Sequence, residues 1–321
     1  MKLLRSPRLD GKSEKLGPVT ISHEFIDWEV MDVDRPERMR RALNEMARRS
    51  VMLDAGMYGG VDLVQARASF IEQEDFSYGR DNSRRHIRFG QMLINSGPRS
   101  ALFDEPEFVA IKPFNDRSEL YTEWAAAAYL NDRYSRQMAF INLGVHNDKN
   151  GIESIISNYE HGVVSLDRSF NADELSPAAA RRPEILRKHA LLGMEGLGLY
   201  HGVRMTHGDA QAKNLAYDSL GPRAIDLESA TIYSEEDSYS DDIWDRSRRD
   251  ISAFIDSMVL VEENRQNVIR SLGSGRVLDA MIAKYRDGVM EGRSVMGGEY
   301  VPDFARDNAD TIRDEYLKII R

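Results

Sequence analysis

One segment constrains this chain more than any other: residues 205–230, MTHGDAQAKNLAYDSLGPRAIDLESA. Asp209 is followed five residues later by Asn214, and Asp226 closes a second short apolar run further on. Leu215 and Tyr217 begin a strand, Gly221-Pro222 supply a turn, and residues 223–227 return. A hairpin of that kind carries Asp226 back beside Asn214. Any fold built on this segment has to gather two carboxylates and a carboxamide, which are hard oxygen donors of the sort that suit Mg²⁺. An isolated D-x-x-x-x-N says little, because Asp and Asn are common turn and capping residues. The rest of the chain decides what the segment means.

Upstream, residues 1–33 read as irregular, with Gly11, Gly17 and Pro18 breaking periodicity. Asp34-Arg35-Pro36-Glu37 resembles a capping box opening a helix, with Met39, Leu43 and Met46 at helical spacing and Arg38, Arg41, Arg48 and Arg49 on its polar side, as either a solvated face or a site for an anionic partner. Residues 61–71, 86–94 and 108–114 are enriched in β-branched and aromatic side chains between turn residues, which predicts strands. A second D-x-x-E box, Asp116 to Glu119, opens a helix whose buried stripe is Leu120, Trp124, Ala127 and Leu130. Strands follow over 140–145 and 152–159. After Gly162 the pattern is helical, with Ile185, Leu186, Ala190, Leu192 and Leu197 over 183–200 and Ile251, Phe254, Ile255, Met258 and Val259 over 247–261.

This order predicts an α+β fold in two lobes, a small β-rich one followed by a larger, mostly helical one. The boundaries expected are an N-terminal extension over 1–55, partly helical, a β-rich lobe over 56–160 and a helical lobe over 161–321. A length of 321 residues is ample for that core. With no cysteine, thiolate nucleophiles, disulfides and cysteine-held zinc are excluded. A net charge of −10 argues against a nucleic-acid partner, which needs a basic face. The apolar runs are too short to span a membrane, and MKLLRSPRLDGK lacks the apolar centre of a signal peptide, so no membrane association and a cytoplasmic location are expected.

His207-Gly208-Asp209 with Asn214, and Ile225-Asp226-Leu227-Glu228 after them, resemble the catalytic and metal-binding segments of the protein-kinase-like superfamily, closest to its aminoglycoside phosphotransferase and choline kinase branch. That branch writes the two segments H-G-D-x-x-x-x-N and I-D-x-E. The resemblance implies a bilobal kinase-like fold, ATP and Mg²⁺ as cofactors, and transfer of phosphate to a small-molecule hydroxyl. Asp209 would orient that hydroxyl and take up its proton, while Asn214 and Asp226 would hold the metal. Val109-Ala110-Ile111-Lys112 matches the strand whose lysine contacts the α- and β-phosphates. Glu119 and Glu123 share a helical face as partners for Lys112, with Glu123 preferred because small residues follow it. Residues 155–166 resemble the passage that seats adenine, with Asn158, Tyr159, Glu160 and His161 as the hinge. Asp250 falls where the family keeps a helix aspartate bracing the catalytic loop.

His207 is expected to support the loop rather than transfer protons. Glu228 has two open roles, reaching a metal through water or pairing with a neighbouring cation. The acidic positions Glu235, Glu236, Asp237, Asp241, Asp242 and Asp245 are either a solvated loop or a site for substrate ammonium groups. Departures from the pattern are specific. No G-x-G-x-x-G is present, Gly59-Gly60 and Tyr78-Gly79-Arg80 being the only nearby glycine clusters, and Gln211 stands where protein kinases carry lysine. The short span from Asp226 to Asp250, without A-P-E, favours a small acceptor. Gly11-Lys12-Ser13 ends like a phosphate-binding P-loop, but Ser6 occupies the first glycine position. Two alternatives keep the fold: a protein-directed kinase-like toxin or effector, docking its partner through residues 1–55, and a non-catalytic nucleotide-binding module.

Overall fold

The computed structural model describes residues 20–22, 26–30, 41–42, 67–72, 87–96, 107–159, 163–170, 183–234, 241–298 and 301–320. Outside them lie most of the expected N-terminal extension, including Gly11–Ser13 and the helix start at Asp34, the Gly59-Gly60 and Tyr78-Gly79-Arg80 clusters, Glu160, His161 and Glu235–Asp237. The fold mixes helix and strand and divides into two compact units, Met1–Leu120 with Phe140–His161, and Tyr121–Ala139 with Gly162–Arg321.

The first unit holds a seven-stranded sheet. Its strands are β1 (Thr20–Ser22), β2 (Ile26–Val30), β3 (Arg67–Glu72), β4 (Arg88–Ser96), β5 (Glu107–Pro113), β6 (Asn142–Asn147) and β7 (Glu153–Asn158). They run in the order β1-β6-β7-β5-β4-β3-β2. The inner pairings are antiparallel, while β1 lies parallel to β6 and β2 parallel to β3. Period-two burial drives the assembly: Val109 and Ile111 of β5 are buried with Phe70, Met92 and Ile156, while Lys112 is half-buried. The irregular reading of residues 1–33 is therefore corrected at β1 and β2. Both are edge strands of three and five residues, too short to display an alternation that stands out beside Gly17-Pro18.

Helix α1 (Arg117–Arg133) starts where the sequence expects it, after Asp116, whose carboxylate accepts Ser118 N–H at 2.7 Å as an N-cap. From Tyr121 onward α1 belongs to the second unit, where Ala126, Ala127 and Leu130 join the core. Trp124 is only half-buried. Beyond β8 (Val164–Ser165) and the short α2 (Asp167–Phe170), the chain builds α3 (Pro183–Gly202), β9 (Met205–Thr206), β10 (Leu215–Asp218), β11 (Gly221–Ala224) and β12 (Thr231–Ile232). Four helices complete it: α4 (Asp241–Ser257), α5 (Glu262–Leu272), α6 (Gly275–Val295) and α7 (Pro302–Ile320).

The C-terminal half of α3 is buried on nearly every side and packs closely against α6. A Cβ on Gly198 would come within 2.2 Å of Tyr285 O, so only glycine permits this approach. Helix α4 begins six residues before the expected 247, with Asp241 and Asp242 in its first turn favouring the positive end of the helix. It also ends earlier, where the Ser257 hydroxyl turns back to Phe254 O at 2.7 Å.

The hairpin is real, but its turn is not at Gly221-Pro222. β10 pairs antiparallel with β11 from Leu215↔Ala224 to Asp218↔Gly221, so Ser219-Leu220 make the turn. Asp218 Oδ1 accepts from Leu220 N at 2.7 Å and Gly221 N at 3.1 Å, an Asx turn that closes the chain one step before the glycine. Gly221, at φ 127°, re-enters the strand, and Pro222 is tolerated because β11 is an edge strand.

Candidate active site

Strand β9 delivers the chain into residues 207–211, which lead through a 3₁₀ turn, Ala212–Asn214, into β10. The loop is tied to α4 by buried Asp250. Its Oδ2 accepts His207 N–H at 2.7 Å, and its Oδ1 accepts Gly208 N–H at 2.9 Å. Gly208 has φ 81°, and a Cβ there would lie 2.1 Å from Ser229 O. The position therefore excludes side chains on both conformational and steric grounds. Ser257 Oγ accepts Ala212 N–H at 2.8 Å, and Ser165 Oγ donates to Lys213 O at 3.1 Å, so the turn is also held from outside itself.

These ties aim Asp209 and Asn214 at each other. Asn214 Nδ2 donates to Asp209 Oδ2 at 2.8 Å and to Asp209 O at 2.9 Å, while Gln211 Nε2 donates to Oδ1 at 2.9 Å. Asn214 is buried and Asp209 half-buried, so the carboxylate is oriented yet open to one side. With its nitrogen committed to Asp209, Asn214 has its carbonyl Oδ1 left as a hard donor. The buried His207 ring contacts Ile225 O at 3.1 Å and Asn214 O at 3.3 Å through Nε2, which ties the loop to the returning strand.

Ile225 N–H donates to Asn214 O at 3.1 Å, so the next residue, Asp226, begins one step from the loop. Asp226 adopts φ 60°, a left-handed conformation that Asp tolerates better than most residues. Leu227 turns into the core, and Asp226 and Glu228 on either side of it join Glu123 of α1. One oxygen from each of these three half-buried carboxylates lies within 4.8 Å of the others. Three like charges that close repel one another unless a cation or proton sits among them, and the all-oxygen donor set is of the kind Mg²⁺ takes.

The remaining expected residues are placed as follows. Lys112 is on β5 of the first unit, its Nζ 4.9 Å from the Phe114 ring centroid. Asn158 ends β7, with its Oδ1 accepting Ile141 N–H at 2.6 Å and its own N–H donating to Ile141 O at 2.9 Å. Tyr159 donates its N–H to Phe108 O at 2.7 Å and packs among Phe89, Phe108 and Phe140. Both backbone N–H groups are thus committed to neighbouring backbone carbonyls, and Glu160 and His161 lie outside the described residues. In the acidic stretch, Asp242 accepts the Tyr233 hydroxyl at 2.9 Å and Asp245 lies 3.6 Å from Arg248. Burial and that bond to Asp242 push the Tyr233 hydroxyl up to about 12.

No protein-family model matches the chain, and no curated protein matches it.

Sequence reasoning did not find the Gln211 bond to Asp209, the Ser257 anchor, or two further buried side chains, His201 and Tyr285. His201 lies in an apolar helical run, and nothing in one sequence separates such a histidine from an ordinary core residue.

Proposed function

We propose that this protein is an ATP- and Mg²⁺-dependent phosphotransferase acting on the hydroxyl of a small molecule, of an aminoglycoside-, sugar- or choline-like kind. The observation that carries this reading is the loop itself: an Asp209 carboxylate oriented by Asn214 and Gln211, on a backbone held by Asp250. Phosphoryl transfer depends mostly on positioning and charge neutralisation, so an oriented, accessible carboxylate is what an acceptor hydroxyl requires. In this reading Asp209 accepts a hydrogen bond from the attacking hydroxyl, aligns it, and takes its proton as that oxygen bonds to the γ-phosphorus of ATP and the bond from the phosphorus to the departing ADP oxygen breaks.

The metal is assigned to Asp226, which has the Glu228 and Glu123 carboxylates beside it, and, on the sequence motif alone, to Asn214 Oδ1. Mg²⁺ bound there supplies neutralisation of the phosphate charge. On its sequence motif alone, Lys112 is assigned to the nucleotide phosphates. Gly208 and the Glu228 carboxylate, together with the short connection to α4, support a small acceptor over a protein.

The test is Asp209→Ala. Turnover of Mg²⁺-ATP should fall below detection while nucleotide affinity stays within about threefold, because Asp209 meets the acceptor and not ATP. Normal turnover in that variant would remove the assignment. Labelled protein bands from a lysate given labelled ATP, with no small-molecule acceptor, would move the substrate to a protein.

A further inference from the structure

The seven-stranded sheet is drawn together by one short segment, residues 20–30. Its two halves, β1 and β2, sit at opposite ends of the strand order, β1 beside β6 and β2 beside β3. Laid flat, six inter-strand steps would part them by about 29 Å. Only residues 23–25 join them, and four Cα steps from Ser22 to Ile26 reach no further than about 15 Å. The sheet therefore has to curl until its two edges approach. Trp28 of β2 reports that curl directly. Its ring centroid lies 5.3 Å from that of His146 on β6, two strands that a flat sheet would hold about 24 Å apart.

The curl encloses one face of the sheet. Ile21 and Ile26, one from each half of the segment, share a buried cluster with Phe70, Met92, Val109, Ile111 and Ile156. Trp28 also meets Phe70 edge-on at 5.3 Å, and the Arg88 guanidinium lies 4.1 Å over its ring while pairing with Glu72. β5 is the middle strand of the seven, and period-two alternation puts Lys112 on the face opposite Val109 and Ile111. Residues 20–30 thus bend the sheet from the side away from Lys112. Each half is short, three residues and five, and is held at an edge. While one half stays paired, the three-residue link keeps the other at high effective concentration beside its own edge. Loss of either half removes that advantage from the other, so both edges open together.

We propose that residues 20–30 are a strap that holds the sheet curled, that its two halves release in a single step, and that release weakens nucleotide binding by flattening the sheet under Lys112. The effect on nucleotide binding rests on the phosphotransferase reading above; the closure and the single-step release do not.

Two measurements on the full-length chain test it. In the parent, hydrogen exchange at low urea should show residues 20–22 and 26–30 opening at one rate and with one urea dependence. The second uses a lock, which the absence of cysteine makes clean. Ser22 and Asn147 are register partners on β1 and β6, so Ser22→Cys with Asn147→Cys should form a disulfide within one molecule. Trp28→Ala should quicken exchange about tenfold over 20–22 as well as over 26–30, and raise KM for Mg²⁺-ATP about fivefold with kcat unchanged. Oxidising the cysteine pair in the Trp28→Ala background should restore both, and reducing it should undo the rescue. Separate opening of the two halves in the parent, or disulfides formed only between molecules, overturns the strap. Exchange restored by the lock without recovery of KM overturns its link to the nucleotide. If Trp28→Ala does not fold, parental exchange and the disulfide in the parental background decide alone. Single-step opening in a parent that never turns over ATP upholds the strap and rejects the phosphotransferase reading.

Discussion

At Gly208 the constraint lies in the backbone rather than in a side chain. Its φ of 81° and the 2.1 Å that would separate a Cβ from Ser229 O leave no room for a substituent. Gly208→Ala should therefore lower stability by about 2 kcal/mol or more through strain and overlap, read as a shifted urea midpoint. Turnover should suffer more than stability, since the shift lands next to Asp209. A second residue-scale prediction concerns His189, buried on α3 with its ring 4.5 Å from that of Tyr217. Burial, assisted by Lys188, lowers its pKa from 6.5 to about 4. The unfolded chain then binds the proton first, so stability is lost as pH falls from about 6.5 towards 4 and levels off below. His189→Leu should lose less stability than the parent across that window, by about 2 kcal/mol after allowance for water reaching the ring, in unfolding curves at pH 7 and 4.5.

The elements show how much the sequence made legible and where it stopped. Periodicity located β4, β5, α1 and α3 because each has a buried face of clear period, as in Val109 and Ile111 of β5. It missed β1 and β2, whose edge positions rest on parallel pairing with distant strands rather than on local pattern. It put the hairpin turn on Gly221-Pro222 because glycine and proline are the loudest turn residues, whereas the Asp218 side chain closes the turn sooner. The site divides similarly. The spacing of Asp209 and Asn214 anticipates the contact between them, whereas the Gln211 bond to Asp209 and the His201 contacts with Asp250 and Tyr285 are not carried by the motif. The helix pair α3–α6 gives a prediction at this scale. Gly198→Val sets a branched side chain against Tyr285 O and should cost about 3 kcal/mol, or prevent folding, whereas Val295→Ala on the exposed end of α6 should change the unfolding midpoint little.

At the scale of the whole molecule, the structure describes two compact units, one built on a seven-stranded sheet and the other mostly helical. Among the described residues no helix is long and apolar enough to cross a membrane. A net charge of −10 suits a cationic or neutral acceptor better than a polyanion. The Glu123, Asp226 and Glu228 carboxylates concentrate negative charge where the reading puts Mg²⁺, so the metal dependence of ATP turnover tests the central claim most directly. Phosphate release and transfer should be measured against Mg²⁺ concentration for the parent and for Asp226→Asn. The account predicts ATP turnover that vanishes with chelator, returns with Mg²⁺, and falls at least about a hundredfold in the variant, the upper end of what outer-shell partners of a metal alone cost. ATP turnover indifferent to Mg²⁺, or equal in parent and variant, would contradict it.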